Sequence, residues 1–186
     1  MEGIEDFFDD SINNIDYDSI MDEYGLDIEK LEKEMGVYQP KMNVRYSTSN
    51  NEFTEPSYAY PTDSGFDLHS TEELYIESFD RILVPTGLHF DIPEGYEIQV
   101  RSKSGLALKQ GLMVLNSPGT VDQGYTGEVK VIIFNTSKEK IKIEKGQKIA
   151  QAVFSPVVSG KWVNLVKVNN IEDKDRSDKG FGSTGI

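Results

Sequence analysis

A chain of 186 residues, 37% apolar and 10% aromatic, is long enough for one domain with a sizeable core and an appendage. It contains no cysteine, which excludes a disulfide framework, a thiolate metal site and a cysteine nucleophile. The formal net charge of −13 is unevenly spread: residues 1–40 hold 13 acidic and 2 basic side chains, net −11, leaving 19 acidic and 17 basic, net −2, for the remainder. That remainder has no basic stripe for a nucleic-acid backbone, so no nucleic-acid partner is expected. No apolar run approaches the ~20 residues of a membrane helix, and the first residues lack the basic start and apolar core of a signal peptide. A soluble protein without membrane contact is expected, in the cytoplasm, or the host's cytoplasm for a viral chain.

In chain order, residues 1–40 form an acidic N-terminal extension. Phe7, Phe8, Ile12, Ile15, Ile20 and Met21 recur at roughly helical spacings, Ser19 or Asp18 suits a helix start, and Gly25 and Gly36 suit helix ends. The extension reads as two short helices or as a disordered acidic tail, since it carries too few apolar residues for a core of its own. From residue 41 the pattern switches to strands: Met42–Tyr46, Leu74–Ile76, Ile82–Val84, Leu88–Ile92, Ile98–Arg101, Gly111–Leu115, Val129–Phe134, Ile141–Ile143, Ile149–Phe154 and Trp162–Val168. Only Leu106–Gln110 suits a turn of helix. Short strands at regular spacing predict an all-β domain over residues 41–168, a sandwich or barrel of the jelly-roll kind. Residues 169–186 lose the strand pattern and form a polar, glycine-rich C-terminal arm, in which Phe181 stands between two glycines.

Four stretches carry glycine punctuation with polar residues at fixed offsets: DSGFDL (63–68), RSKSGLALK (101–109), NSPGTVDQGYTGE (116–128) and RSDKGFGSTG (176–185). The third lies between the apolar run Leu112–Leu115 and the run Val129–Phe134, so it reads as a hairpin presenting Asp122 and Tyr125. An isolated acid in such a turn is as a rule a cap with an aromatic packed over it. Four such stretches in one domain point instead to a site. His69 and His89 read as solvent-facing or core strand residues.

Together with GQKIAQAVF (146–154), these stretches resemble, in order, the five motifs of the trimeric dUTP pyrophosphatases; residues 1–40 lie outside the resemblance. It implies a jelly-roll subunit in a homotrimer with sites shared between subunits, hydrolysing dUTP to dUMP and pyrophosphate with Mg²⁺ carried in by the triphosphate. Such an activity would keep uracil out of DNA and supply dUMP for thymidylate synthesis. By motif, Asp122 is the base that activates water for in-line attack on the α-phosphorus. Tyr125 lies against the deoxyribose, excluding a 2′-hydroxyl, and Asn116 bonds the uracil edge. Ser104 contacts the oxygen bridging the α- and β-phosphates, with Gly105 offering a backbone donor, and Gln151 meets the phosphates or the attacking water. Asp67 faces metal-bound waters or braces the phosphate-binding cation at position 103. That cation is Lys103 where relatives carry arginine, and a lysine makes no bidentate fork; Arg101 is the neighbour placed to compensate. The arm supplies Arg176 for the γ-phosphate, Phe181 to stack on uracil, and Gly182, Ser183 and Thr184 at the phosphates. Two other readings are a dCTP deaminase, which shares the fold, and a regulatory protein that uses residues 1–40 to bind a protein partner.

Overall fold

β-Branched and aromatic residues alternate with polar ones along short runs, and such runs are stable only where a neighbouring edge completes their hydrogen bonds. A computed structural model of the protein describes residues 41–49, 53–175 and 177. The chain divides between Asn43 and Val44, and the described strands fall in the second unit. The helices expected within residues 1–40 lie outside the described residues.

Among the described residues eleven strands form: β1 (Arg45–Thr48), β2 (Phe66–His69), β3 (Leu74–Ile76), β4 (Arg81–Pro85), β5 (Leu88–Asp91), β6 (Tyr96–Arg101), β7 (Leu112–Val114), β8 (Gly119–Val121), β9 (Lys130–Asn135), β10 (Ile141–Ile143) and β11 (Lys148–Pro156), with one α-helix, α1 (Ser104–Gln110), between β6 and β7. All pairings are antiparallel, in sheets ordered β2-β11-β6-β8, β4-β9-β7, β1-β5 and β10-β3. This is the expected all-β, jelly-roll-like fold. One core unites the sheets: Leu68, Ile76, Val84, Ile98, Val114 and Ile143 are fully buried and belong to one contiguous cluster.

Three differences from the sequence reading have physical causes. β2 and β8 are strands inside stretches that read as turns, because a glycine precedes or heads each and they run to only four and three residues. β1 begins at Arg45 and not at Met42, because its edge partner β5 ends at Asp91, opposite Arg45. The run Trp162–Val168 is not a strand. Only Gly160–Trp162 curls into a 3₁₀ turn, and beyond it Leu165, Val166 and Val168 are exposed. Its alternation is right, but none of the described strands pairs with it.

The buried polar residue Asn135 holds the ends of three strands together. Its side-chain amide donates to the carbonyls of Ile76 at 3.2 Å, Glu77 at 3.1 Å and Glu139 at 2.7 Å, and its Oδ1 accepts from the Ser137 amide at 2.9 Å. Removing it leaves several buried carbonyls unsatisfied, so Asn135→Ala is expected to destabilise the domain by roughly 2–4 kcal/mol in urea unfolding. A loss under about 0.5 kcal/mol would show that water replaces the amide.

Candidate active site

Two clefts collect the residues singled out by the sequence. The first, of about 290 Å³, is lined by Asn116, Asp122 and Tyr125 with Leu83, Val129 and Ile132 behind them. Two turns build it. After β7, the Leu115 amide donates to the Ile132 carbonyl at 2.9 Å and the Ser117 amide to the Val114 carbonyl at 3.3 Å. A β-carbon at Gly119 would lie 3.0 Å from Asn116 Nδ2, so glycine at this position makes room for the asparagine amide. β8 then joins β6 in the four-stranded sheet, and a second turn, closed by the Tyr125 amide donating to the Asp122 carbonyl at 3.0 Å, returns the chain toward β9. β7 and β9 do pair directly, but what reads as one hairpin is two turns around a strand.

Tyr125 donates its hydroxyl to the Glu128 carbonyl at 2.9 Å, which folds the ring back over Gly127. A β-carbon at Gly127 would fall 2.6 Å from the ring's Cζ and hydroxyl, so any side chain there displaces the tyrosine. The ring remains 47% exposed, with a face available to a ligand. Asp122 is exposed, and among the described residues its carboxylate makes no hydrogen bond or ion pair. Such a carboxylate keeps all its lone pairs for water.

The second cleft, of about 400 Å³, is lined by Asp63, Ser64, Asp67, Lys103 and Gln151. β11 places Gln151 opposite Asp67 on β2 and opposite Arg101 on β6. Its Nε2 donates to the Ser102 carbonyl at 3.2 Å, which leaves Oε1 to accept from a ligand or water. Asp67 is mostly buried and is paired on both oxygens, by Lys103 on Oδ1 and by Lys148 on Oδ2 at 2.7 Å. Burial pushes its carboxyl up, but hydrogen bonds and charge from both lysines outweigh this and hold it below the ordinary carboxylate value. The same pairing raises the Lys148 ammonium above its ordinary value.

Asp67 therefore braces the cation at position 103. Arg101 does not line this cleft: its guanidinium donates to Gln99 Oε1 at 3.2 and 2.6 Å along its own strand. Lys148 is the second cation, and sequence reasoning missed it. Its partner lies on another strand, and the only available signal was its place three residues before Gln151. Ser104 and Gly105, exposed, open α1 directly after Lys103. His69 stands beside the ion pairs with its pKa lowered by burial, and Nδ1 is buried without a hydrogen-bond partner. Among the described residues no three His, Asp or Glu side chains converge as a metal cage, and no helix is long and apolar enough to cross a membrane. Arg176, Phe181, Gly182, Ser183 and Thr184 lie outside the described residues.

Comparison with known proteins adds independent findings. A family model described as dUTPase matches residues 51–185. The deoxyuridine 5′-triphosphate nucleotidohydrolase of Nautilia profundicola is 45% identical over 144 residues, covering 77% of this chain and 99% of that protein. The protein of the same name from a Hydrogenobaculum species is 48% identical over 132 residues, 70% of this chain and 90% of its own. Among solved structures, the Staphylococcus bacteriophage 80alpha dUTPase with dUPNHPP is similar, with a TM-score of 0.71 at 26% identity over 78% of this chain and 100% of that one.

The Asp67 pairs make a testable contribution to stability. Because the folded carboxyl titrates below its ordinary value of 3.8, the pairs contribute fully above about pH 4 and are lost as pH falls through the folded value. The Tm difference between the native chain and Asp67→Asn is expected to stay constant between about pH 5 and pH 8 and to shrink below about pH 4. A difference that persists unchanged in acid would mean that the carboxylate charge contributes nothing there.

Proposed function

The chain belongs to the dUTPase family and is a hydrolase of dUTP, and from that premise we propose that Asp122 activates the attacking water at a site shared between subunits of a homotrimer. The observation that carries this reading is the grouping of Asn116, Asp122 and Tyr125 in one cleft with the Asp122 carboxylate unengaged. Asp122 accepts a proton as the water oxygen bonds to the α-phosphorus. The bond to the bridging oxygen breaks on the opposite side and pyrophosphate leaves with the electron pair, giving dUMP. No covalent intermediate is required. Asn116 pairs the uracil edge, and Tyr125 lies against the deoxyribose. A wrong base leaves polar groups of the cleft unpaired, which discriminates better than apolar fit.

Lys103, Ser104, Gly105 and Gln151 take the phosphates, Ser104 at the bridging oxygen. Mg²⁺ suits this donor set only as a hydrated ion bound by the triphosphate: each Asp67 oxygen engaged by a lysine keeps a lone pair for a metal-bound water. There it would neutralise phosphate charge. Arg176 on the γ-phosphate, Phe181 on uracil, and Gly182, Ser183 and Thr184 around the phosphates would complete the enclosure and exclude bulk water.

Two features support the homotrimer. The base-side residues and the phosphate-side residues line separate clefts of one chain, so neither cleft by itself holds a nucleoside triphosphate with its catalytic base. In addition, Leu165, Val166, Val168 and Ile171 are exposed along a segment that pairs with none of the described strands, as befits a segment whose cover comes from another chain. Residues 1–40, outside the family match, are proposed as a segment that binds a protein partner alongside catalysis.

Asp122→Asn is expected to keep dUTP binding and to lower kcat by at least the ~10²-fold typical of general-base loss; near-normal turnover would remove Asp122 from the base role. Sharing of sites has its own test. Mixing Asp122→Asn chains with chains truncated after Asp175 should restore part of the activity that each lacks alone. Failure to restore it despite proven subunit exchange would place the third motif and the arm in the same chain's site.

A further inference from the structure

The turn that carries Tyr125 is fastened from outside by four consecutive residues, two from the β4–β5 connection and the first two of β5. Thr86 Oγ1 donates to the Val129 carbonyl at 2.6 Å, the Gly87 amide to Glu128 Oε1 at 2.8 Å, and the Val129 amide to the Leu88 carbonyl at 2.8 Å. The fourth fastening is His89, whose Nδ1 lies 3.1 Å from the Thr126 carbonyl. A carbonyl only accepts, so Nδ1 carries a proton and donates in this contact. Nε2 in turn meets Ser49 Oγ at 2.6 Å. Ser49 is itself anchored, its amide donating to the Gly87 carbonyl at 2.9 Å. A chain of polar contacts therefore runs from the end of β1, through the imidazole, to the residue next to Tyr125.

We propose that His89 is a positioning residue for the Tyr125 turn and through it sets the preference for deoxyribose over ribose. The inference rests on the reading that Tyr125 lies against the sugar. The three-residue link from Thr126 to Glu128 is short, and it contains Gly127, the one residue that permits the ring's folded-back pose. Glu128 is held at both its side chain and its carbonyl, by Gly87 and by Tyr125 itself. His89 holds the other end. Without the Nδ1–H bond, Thr126 and the exposed Asp122–Tyr125 turn keep only the fastening at Glu128 and Val129, and a glycine link lets the ring swing. A ring free to swing makes room for a 2′-hydroxyl, so the consequence falls on discrimination more than on rate.

The experiment measures kcat/KM for dUTP and for UTP with the full-length native chain, His89→Ala, His89→Phe, His89→Asn and Tyr125→Ala. The ratio of the two values is independent of the fraction of enzyme that is folded, so a merely structural role leaves it unchanged. His89→Ala and His89→Phe, which keeps the ring but not the donor, are expected to lower the dUTP/UTP ratio by about five-fold, the weight of one hydrogen bond. His89→Asn, whose side-chain amide puts a donor near the Nδ1 position, is expected to restore most of it. An unchanged ratio in His89→Ala and His89→Phe beside a lowered ratio in Tyr125→Ala overturns the positioning role alone. An unchanged ratio in all variants, Tyr125→Ala included, overturns the reading of Tyr125 and the role of His89 with it.

Discussion

The long strand β11 is hydrogen-bonded on both edges, to β2 over Lys148–Ala152 and to β6 over Gln151–Pro156, and the cleft lined by Asp67, Lys103 and Gln151 exists because of this double pairing. It brings the stretches 63–68, 101–109 and 146–154 to one place: Asp67 from β2, Lys103 from just beyond β6, and Gln151 from β11 itself. The pairing with β2 is irregular between Lys148 and Ala150. Bulges of this kind re-aim side chains, and here Lys148 reaches the same carboxylate as Lys103. Beneath the cleft, the rings of Phe66, Phe90 and Phe154 pack with centroids 5.9 to 6.3 Å apart, so the strands that carry the polar residues are fixed from the apolar side.

Much of this was legible in the sequence, and the reason is period. Strands whose apolar residues alternate, such as β5, β6 and β9, could be read directly, and the fold class followed from their number and spacing. What escaped was whatever depends on a partner. Trp162–Val168 has the alternation of a strand but no described neighbour, whereas β8 has a neighbour but no alternation. Of the site, the residues in glycine-punctuated motifs could be read because glycine marks close approach: Gly119 leaves space for Asn116 and Gly127 for Tyr125. Lys148 and His89 could not be read. Each acts on a residue far along the chain, and nothing local distinguishes a paired lysine or a bonded histidine from an ordinary one.

The two clefts differ in how their charges are placed. Lys103, Lys148 and Asp67 neutralise one another in the second cleft, and Glu128 pairs with Lys130 in the first, where Asp122 stands exposed. Lys103 and Lys148 are braced by Asp67 and already placed, which lowers the cost of ordering them against an anion.

The central claim is that water held by Asp122 attacks the α-phosphorus. Its most direct test is a single turnover of dUTP by the native chain in ¹⁸O-labelled water, with mass analysis of both products. The account predicts one labelled oxygen in dUMP and none in pyrophosphate; label in pyrophosphate would place the attack on the β-phosphorus and contradict the account.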